Sequence, residues 1–440
     1  MNPTAQPDPA FPSGSDGSDV PERANVAHAG ARRPSVRKRI VLSVVAVVTA
    51  LVVAVGGFAL YSYVDLSNGL HRSTVALPGA GKKHDVAETN ILVMGLDSRL
   101  DENGDPLPKD VYDALHAGDQ SDGGYNANVL MLIHIPAGGK KAVGISIPRD
   151  DYAPLSGSPD GVSASKIKEA YGLALDQKLT ELTNAGGLSQ ADAYQQARTF
   201  ARQTELQTVS DFLGGVRIDH FVEVTMAAFY QVAQAVQPVT VCVAQATKDP
   251  YSGADFAAGV QQLTASQAVS FVRQRRDESN PALNFTDLDR ERRQQAFIVS
   301  LATKLKKADT FANPATLSSL ISTAKQNIAL DSGFDLLSFA SEAQHLAGGN
   351  ITFTTLPITG YGVKDGKDVN LVDPAQIHAV VQQLLNAGAA TASPSPATPP
   401  VTSSAPTPAP TPAPTHPAGP NGTYTDPTAP LPSGGVPCVK

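Results

Sequence analysis

The sequence predicts an α/β protein, a three-layer α/β/α sandwich around a central mixed β-sheet. Three observations carry this. Apolar runs of strand length at 89–95, 129–135, 142–147, 217–224, 239–243 and 351–356 alternate with segments of helical pattern. Two of the runs are joined by Pro136-Ala137-Gly138-Gly139, a hairpin turn, so the sheet cannot be purely parallel. Two strands release charge at their carboxyl ends: Asn90 to Met94 runs into Gly95-Leu96-Asp97-Ser98-Arg99, and Ala142 to Ile147 into Pro148-Arg149-Asp150-Asp151. Ligands gather at that end of strands in open sheets.

The elements follow in order. Residues 1–39 are rich in Pro, Ser, Gly, Asp and Ala and read as a disordered segment, ending in the basic cluster Arg32, Arg33, Arg37, Lys38 and Arg39. Ile40 to Tyr61 carries no charge, and at 1.5 Å rise per residue it is long enough to cross a bilayer. A transmembrane helix is therefore expected over 40–64. The basic flank puts residues 1–39 in the cytoplasm and everything after 65 outside. The long region before the span argues against a cleaved signal peptide.

Residues 65–85 read as a polar juxtamembrane linker, and 86–385 as the folded domain. After the strand at 89–95 comes a long loop, 99–125, then the hairpin. Ser163 or Ser165 is a candidate cap for a helix running to about Asn184. Ser189 caps a long helix over 190–213, which Gly214-Gly215 ends. A strand to Val224, a helix opened by Thr225, a strand over 239–243 and a turn-rich connection over 249–259 follow. Thr264 opens a helix that runs into Arg273-Gln274-Arg275-Arg276, and another begins at Asp287. Helices over about 315–325 and 332–346, the strand 351–356 and a helix capped by Asp373 and ending at Leu385 complete the domain. Residues 386–440 are dominated by Ala, Pro, Ser and Thr and read as a disordered tail, although the final Leu-Pro-Ser-Gly-Gly-Val-Pro-Cys-Val-Lys does not share that composition.

The formal net charge of −7 does not suggest a general nucleic-acid binder. No GxGxxG, Walker A, HExxH or GxSxG pattern occurs in the folded region. The two cysteines, Cys242 and Cys438, form no metal-ligand pattern; a free Cys242 in an apolar strand and a pairing that folds the tail back onto the domain are both open.

The chemistry resides in arginines. Arg149 follows the hairpin. Arg273 and Arg275 sit at a helix end and diverge unless the helix stops there. Arg290 and Arg293, three apart, share a helix face, with Arg292 turned away as a solvated charge. Asp97 and Asp150 are the nearby carboxylates, while Asp287 reads most simply as a helix cap. Planar, permanently charged guanidiniums in number suit phosphate oxygens, and a diphosphate needs several of them.

Six motifs then fall in order: Asn90-Ile-Leu-Val-Met-Gly-Leu-Asp-Ser-Arg99, Gly144-Ile-Ser-Ile-Pro-Arg-Asp150, Lys166-Ile-Lys-Glu-Ala-Tyr171, Ile218-Asp-His-Phe221, Gln267-Ala-Val-Ser-Phe-Val-Arg-Gln-Arg275 and Asp287-Leu-Asp-Arg-Glu-Arg-Arg-Gln-Gln295. Together they resemble the LytR-CpsA-Psr family. The resemblance implies an extracellular, membrane-anchored phosphotransferase that moves a glycopolymer from a polyprenyl-diphosphate carrier onto peptidoglycan. The implied partners are the polyprenyl-diphosphate-linked glycopolymer, peptidoglycan and the cytoplasmic membrane, with no nucleic acid.

The resemblance also implies the roles of residues. Asp97, Arg149, Arg275 and Arg290 would be catalytic. Arg99, Arg149, Lys166, Arg273, Arg275, Arg290, Arg293 and Gln294 would hold the diphosphate. Asp97 and Asn128 would hold Mg²⁺ or Mn²⁺. One departure matters: the family usually reads Arg-Ser-Asp-Thr where this chain has Asn126-Ala127-Asn128-Val129. An amide oxygen can ligate a cation but brings no charge. The alternatives are therefore a non-catalytic binder of lipid-linked wall precursors and a hydrolase of such lipids.

Overall fold

The computed structural model describes residues 56–79, 88–115, 125–138, 140–283, 285–306, 313–339, 346, 349–387 and 422–440. The expected cytoplasmic segment and most of the expected span lie outside these residues. Residues 56–69 are helical. No helix among the described residues is long and apolar enough to cross a membrane. The chain divides into two compact units at Ala59/Leu60, and the second, Leu60–Lys440, holds every strand and all the charged motifs.

In chain order the strands are β1 (His71–Ser73), β2 (Thr89–Leu96), β3 (Ala127–Ile135), β4 (Ala142–Ile147), β5 (Tyr152–Pro154), β6 (Ala164–Lys166), β7 (His220–Thr225), β8 (Val239–Val243), β9 (Thr247–Asp249), β10 (Ala254–Phe256), β11 (Gly259–Leu263), β12 (Ile328–Asp331), β13 (Ile351–Thr355), β14 (Gly360–Lys364), β15 (Lys367–Leu371), β16 (Thr423–Tyr424), β17 (Leu431–Pro432) and β18 (Cys438–Val439). The helices are α1 (Lys109–Ala114), α2 (Glu169–Ala185), α3 (Gln190–Phe212), α4 (Met226–Val236), α5 (Ala265–Arg273), α6 (Asp287–Leu305), α7 (Pro314–Asn327) and α8 (Pro374–Ala387).

Eight strands form the central sheet in the order β1-β12-β7-β2-β3-β4-β13-β17. It is mixed, as expected: β2–β3 and β3–β4 are antiparallel, while β2–β7 and β4–β13 are parallel. Strand side chains alternate between two cores. Ile91 and Met131 face the core shared with α4, α5 and α6; Leu92, Met94, Leu130 and Leu132 face the one shared with α2, α3 and α8. This is the three-layer sandwich.

Four expectations are corrected. The segment 65–85 is not all linker: residues up to 69 are helical, and His71–Ser73 is an edge strand of the main sheet, in register with Ala329–Asp331. The helix expected from Ser163 begins at Glu169, because Ala164–Lys166 pairs with Tyr152–Pro154 and the backbone of Leu155 and Ser163 closes that turn at 2.9 Å. The connection over 249–259 contains the strand β10, which pairs with β9.

The tail is the largest correction. Residues 388–421 lie outside the described residues, but 422–440 fold onto the domain. Leu431–Pro432 extends the central sheet beside β13, and β16 and β18 join β8 and β11 in a second sheet. Cys438 lies opposite Cys242 in register, and the two form a disulfide. The physical reason is local composition: Leu431, Val439 and Tyr424 are buried apolar residues absent from the Pro/Ala/Thr repeat before them.

Candidate active site

The topology brings the charged residues together before any side chain is considered. β2 and β4 both run antiparallel to β3, so their carboxyl ends and the amino end of β3 lie at one edge of the sheet. Asp97 follows β2, Asn128 lies at the start of β3 and Arg149 follows β4. The backbone N–H of Asp97 donates to the Asn126 carbonyl at 3.0 Å, beside a bulge between Gly95 and Leu96. The β3–β4 register pairs Leu130 with Ile147, which places Asn128 opposite Arg149 two positions further out. Arg149 Nη1 accordingly donates to Asn128 Oδ1 at 2.9 Å.

Helix α6 points its first turn at this edge. Thr286 is its N-cap, and the Asp289 carboxylate accepts the Thr286 backbone N–H at 2.7 Å. Capping thus falls to Thr286 and Asp289, which releases Asp287 for the site. Asp287 accepts two bonds from Arg149, 3.1 Å from Nε and 3.0 Å from Nη2, and two from Arg290, 2.8 Å from Nε and 2.9 Å from Nη2. Burial would raise the Asp287 carboxyl, but Arg290 and Arg149 outweigh it and hold the group well below the usual range. Both guanidiniums are nearly buried, Arg149 at 7% and Arg290 at 6% exposure.

A second carboxylate completes the cluster. Asp150 lies 2.8 Å from Lys168 Nζ, 3.3 Å from Lys166 Nζ and 3.7 Å from Arg149 Nε. Burial opposes its ionisation, but Lys168 and Arg149 hold its pKa below the ordinary value. On the far side, α5 stops at Arg273, and Gln274 is extended with ψ 129°. The break lets Arg273 and Arg275 share one field despite their spacing: Arg273 senses Asp97, Arg99, Arg275 and Arg290, and Arg149 senses Arg275. Arg273 also donates to the Leu115 carbonyl, tying the end of α1 to α5.

Asp97, Arg99, Asn128, Arg149, Lys166, Arg273, Arg275 and Arg290 therefore gather as expected. Arg293 does not. Its guanidinium meets other neighbours, donating to Lys440 O at 2.7 Å, Gln274 Oε1 at 2.7 Å and Thr247 Oγ1 at 3.0 Å, among the rings of Phe256, Phe271 and Phe285. Arg292 is not solvated either. It is 1% exposed and donates to the carbonyls of Asp426, Pro427 and Ala429. Gln294 reaches only the Val272 carbonyl, at 3.4 Å. Asp287 and Lys168 are the site residues missed in the sequence. The signal for Asp287 was Thr286, a better cap one residue earlier.

For a divalent ion, the donors at the strand ends are the Asp97 carboxylate and the Asn128 amide oxygen. Asn128 Oδ1 already accepts from Arg149 and keeps one lone pair. No group of three or more His, Cys, Asp or Glu able to hold a metal occurs among the described residues. One carboxylate and one amide suit an ion such as Mg²⁺, which completes its shell with water and substrate phosphate.

The LytR_cpsA_psr family model matches residues 62–386. The chain belongs to the LytR-CpsA-Psr family. Its relatives include the cell wall biosynthesis protein LcpA of Corynebacterium glutamicum, 37% identical over 361 residues, covering 80% of this chain and 66% of LcpA. The probable cell wall biosynthesis protein LcpB of the same organism is 27% identical over 298 residues, 68% of this chain and 61% of LcpB. The chain thus spans just under two thirds of the length of these two relatives. The polyisoprenyl-teichoic acid--peptidoglycan teichoic acid transferase TagU of Oceanobacillus iheyensis is 27% identical over 256 residues, 58% of this chain and 68% of TagU. Among solved structures, TagT of B. subtilis is similar at 16% identity and a TM-score of 0.46, covering 72% of this chain and 98% of that one. The family match begins at residue 62, so it takes in the edge strand β1, which the polar composition of 65–85 had pointed to as linker.

Proposed function

We propose that this LytR-CpsA-Psr protein is a membrane-anchored phosphotransferase that moves a glycopolymer from a polyprenyl-diphosphate carrier onto peptidoglycan. The observation that carries the reading is the paired hydrogen bonding of Asp287 by both Arg149 and Arg290 at the carboxyl edge of the sheet. It pre-orients two nearly buried guanidiniums, with Arg273, Arg275, Lys166 and Lys168 around them. Such a set suits a diphosphate, whose oxygens would compete with Asp287 for the same donors. The names of the relatives, cell wall biosynthesis protein and teichoic acid transferase, support the choice of substrates.

In the reaction, an acceptor hydroxyl attacks the phosphorus bearing the sugar and loses its proton to solvent. The bond from that phosphorus to the oxygen bridging to the polyprenyl phosphate breaks, and a phosphodiester forms. Polyprenyl monophosphate leaves with the electron pair and the negative charge. The protein's work is to orient the diphosphate and to stabilise that charge. Arg149, Arg275 and Arg290 would meet the reacting phosphates, with Arg99, Arg273 and Lys166 in support. Asp97 and Asn128 would hold Mg²⁺ or Mn²⁺, which would supply further charge neutralisation when bound. Anchoring through 40–64, with the domain outside the cell, rests on the uncharged run and its basic flank.

A second reading, a non-catalytic binder of the same lipid, is favoured by Asn128, whose oxygen is engaged by Arg149 and brings no charge. One experiment separates the readings. The full-length protein in detergent is mixed with a polyprenyl-diphosphate-linked glycan and peptidoglycan oligomers, with and without Mg²⁺, and both products are followed. Transfer gives polyprenyl phosphate and joined glycan together, and Arg149→Ala lowers the rate by about 10²–10³-fold. Release without joining means hydrolysis; tight lipid binding without turnover, across several acceptors, means a binder.

A further inference from the structure

Two carboxyl groups behind the clamp have no part in the mechanism above. Asp151 is fully buried. Its Oδ1 accepts from Asn370 Nδ2 at 2.9 Å, and its Oδ2 has no hydrogen-bond partner. Glu291 lies one helical turn after Asp287 and is 6% exposed. It faces the backbone N–H of Arg149, while its Oε2 has no partner. Glu291 acts electrostatically on Asp151, so the two groups share one buried region. A buried carboxylate oxygen without a donor is costly when ionised and far less so when neutral.

The charged groups facing the pair are few. From α6 come Asp287 and Arg290; from the segment after β4 come Arg149 and Asp150, the latter bound to Lys166 and Lys168. Strand β15 supplies neutral Asn370, and β14 supplies the Tyr361 phenol, which senses Glu291. Arg149, Arg290, Lys166 and Lys168 thus meet Asp287, Asp150, Asp151 and Glu291. If all were ionised, this inner set would have no net charge. With Asp151 and Glu291 neutral, it keeps two positive charges for an incoming anion.

We propose that Asp151 and Glu291 are positioning residues that hold Arg149 from behind and keep the clamp cationic by staying protonated, so that diphosphate binding weakens when the pair ionises. This rests on the diphosphate reading of the site. Burial agrees with it, raising Asp151 well above its ordinary value and pushing Glu291 up to about 8.

The test uses the full-length protein in detergent at fixed Mg²⁺. Geranylgeranyl diphosphate is titrated by calorimetry between pH 6.5 and 9, with the folded state of each variant checked by near-ultraviolet circular dichroism. Wild type is expected to lose about tenfold in affinity across that range, the effect of roughly one unit charge several ångström away in a partly wet site. The double variant Asp151→Asn/Glu291→Gln, in which neither site can ionise, should lose less than threefold. The proposal is overturned if the wild-type affinity is flat with pH, or if the folded double variant follows the wild-type decline. Absence of binding at every pH would instead overturn the diphosphate reading, and this inference with it.

Discussion

Asp287 holds the two guanidiniums of the candidate site with a single carboxylate. It separates two guanidiniums that would otherwise repel each other, and its depressed pKa makes it a source of stability. The sign follows from linkage: the contribution is fully present above the ordinary carboxylate range and is lost as pH falls through the lowered value of the folded state. Asp287→Ala should therefore cost about 3–5 kcal/mol in chemical denaturation at pH 7, because it leaves two nearly buried cations unpaired. Glu205 on α3 behaves in the opposite sense. It is fully buried, accepts the Tyr171 backbone N–H at 2.8 Å, and burial pushes it up to about 8. The folded state then holds a proton that the unfolded chain has released, so stability falls as pH rises from the ordinary glutamate range to about 8. Glu205→Gln removes that slope, and its melting temperature should change less between pH 5 and 8 than that of wild type. The gain at pH 7 should be at most about 3 kcal/mol.

Among the elements, the loop after β2 depends on a buried ionic lock. Arg198 and Arg202, successive turns of α3, both bind Glu102 of the loop, at 2.7 and 3.0 Å, and both bind Glu223 of β7. Such a set adds little over a well-packed apolar core, but removing one member leaves charge stranded in the interior. Glu102→Ala should cost about 3–5 kcal/mol by denaturant titration. It should also weaken binding of the proposed diphosphate, because the same segment begins at Asp97 and Arg99 and carries Leu115, whose carbonyl holds Arg273. This lock was not legible in the sequence, since its members are scattered from 102 to 223 and each resembles an ordinary surface charge. The hairpin 129–147 was legible, because two nearly continuous apolar runs and a Pro/Gly turn between them are local signals. The convergence of Asp97 and Arg149 was legible for the same reason: it follows from strand direction alone. Arg293 was misplaced because spacing on a helix gives a face but not which neighbour that face meets.

At the scale of the whole molecule, the Cys242–Cys438 disulfide spans 196 residues and pins the last strand to β8. Cross-links over loops of that size restrict the unfolded chain strongly, so Cys438→Ser should lower stability by about 2–5 kcal/mol. A reductant should lower the melting temperature of wild type and leave that of the variant unchanged. The composition of 388–421 concealed this: a long Pro/Ala/Thr/Ser-rich stretch with Val401 as its one large aliphatic residue suggested that everything after it was tail as well.

Segments far apart in the chain are also what close its sheets. β1 near residue 71 needs β12 near 329, β13 needs β17, and Arg292 and Arg293 donate to carbonyls in residues 426–440. A ribosome makes the first of those carbonyls 134 residues after Arg292. Until then, two arginines of the helix that carries the clamp lack their acceptors there, so the domain cannot finish folding as α6 emerges. Its productive folding waits for residues 422–440.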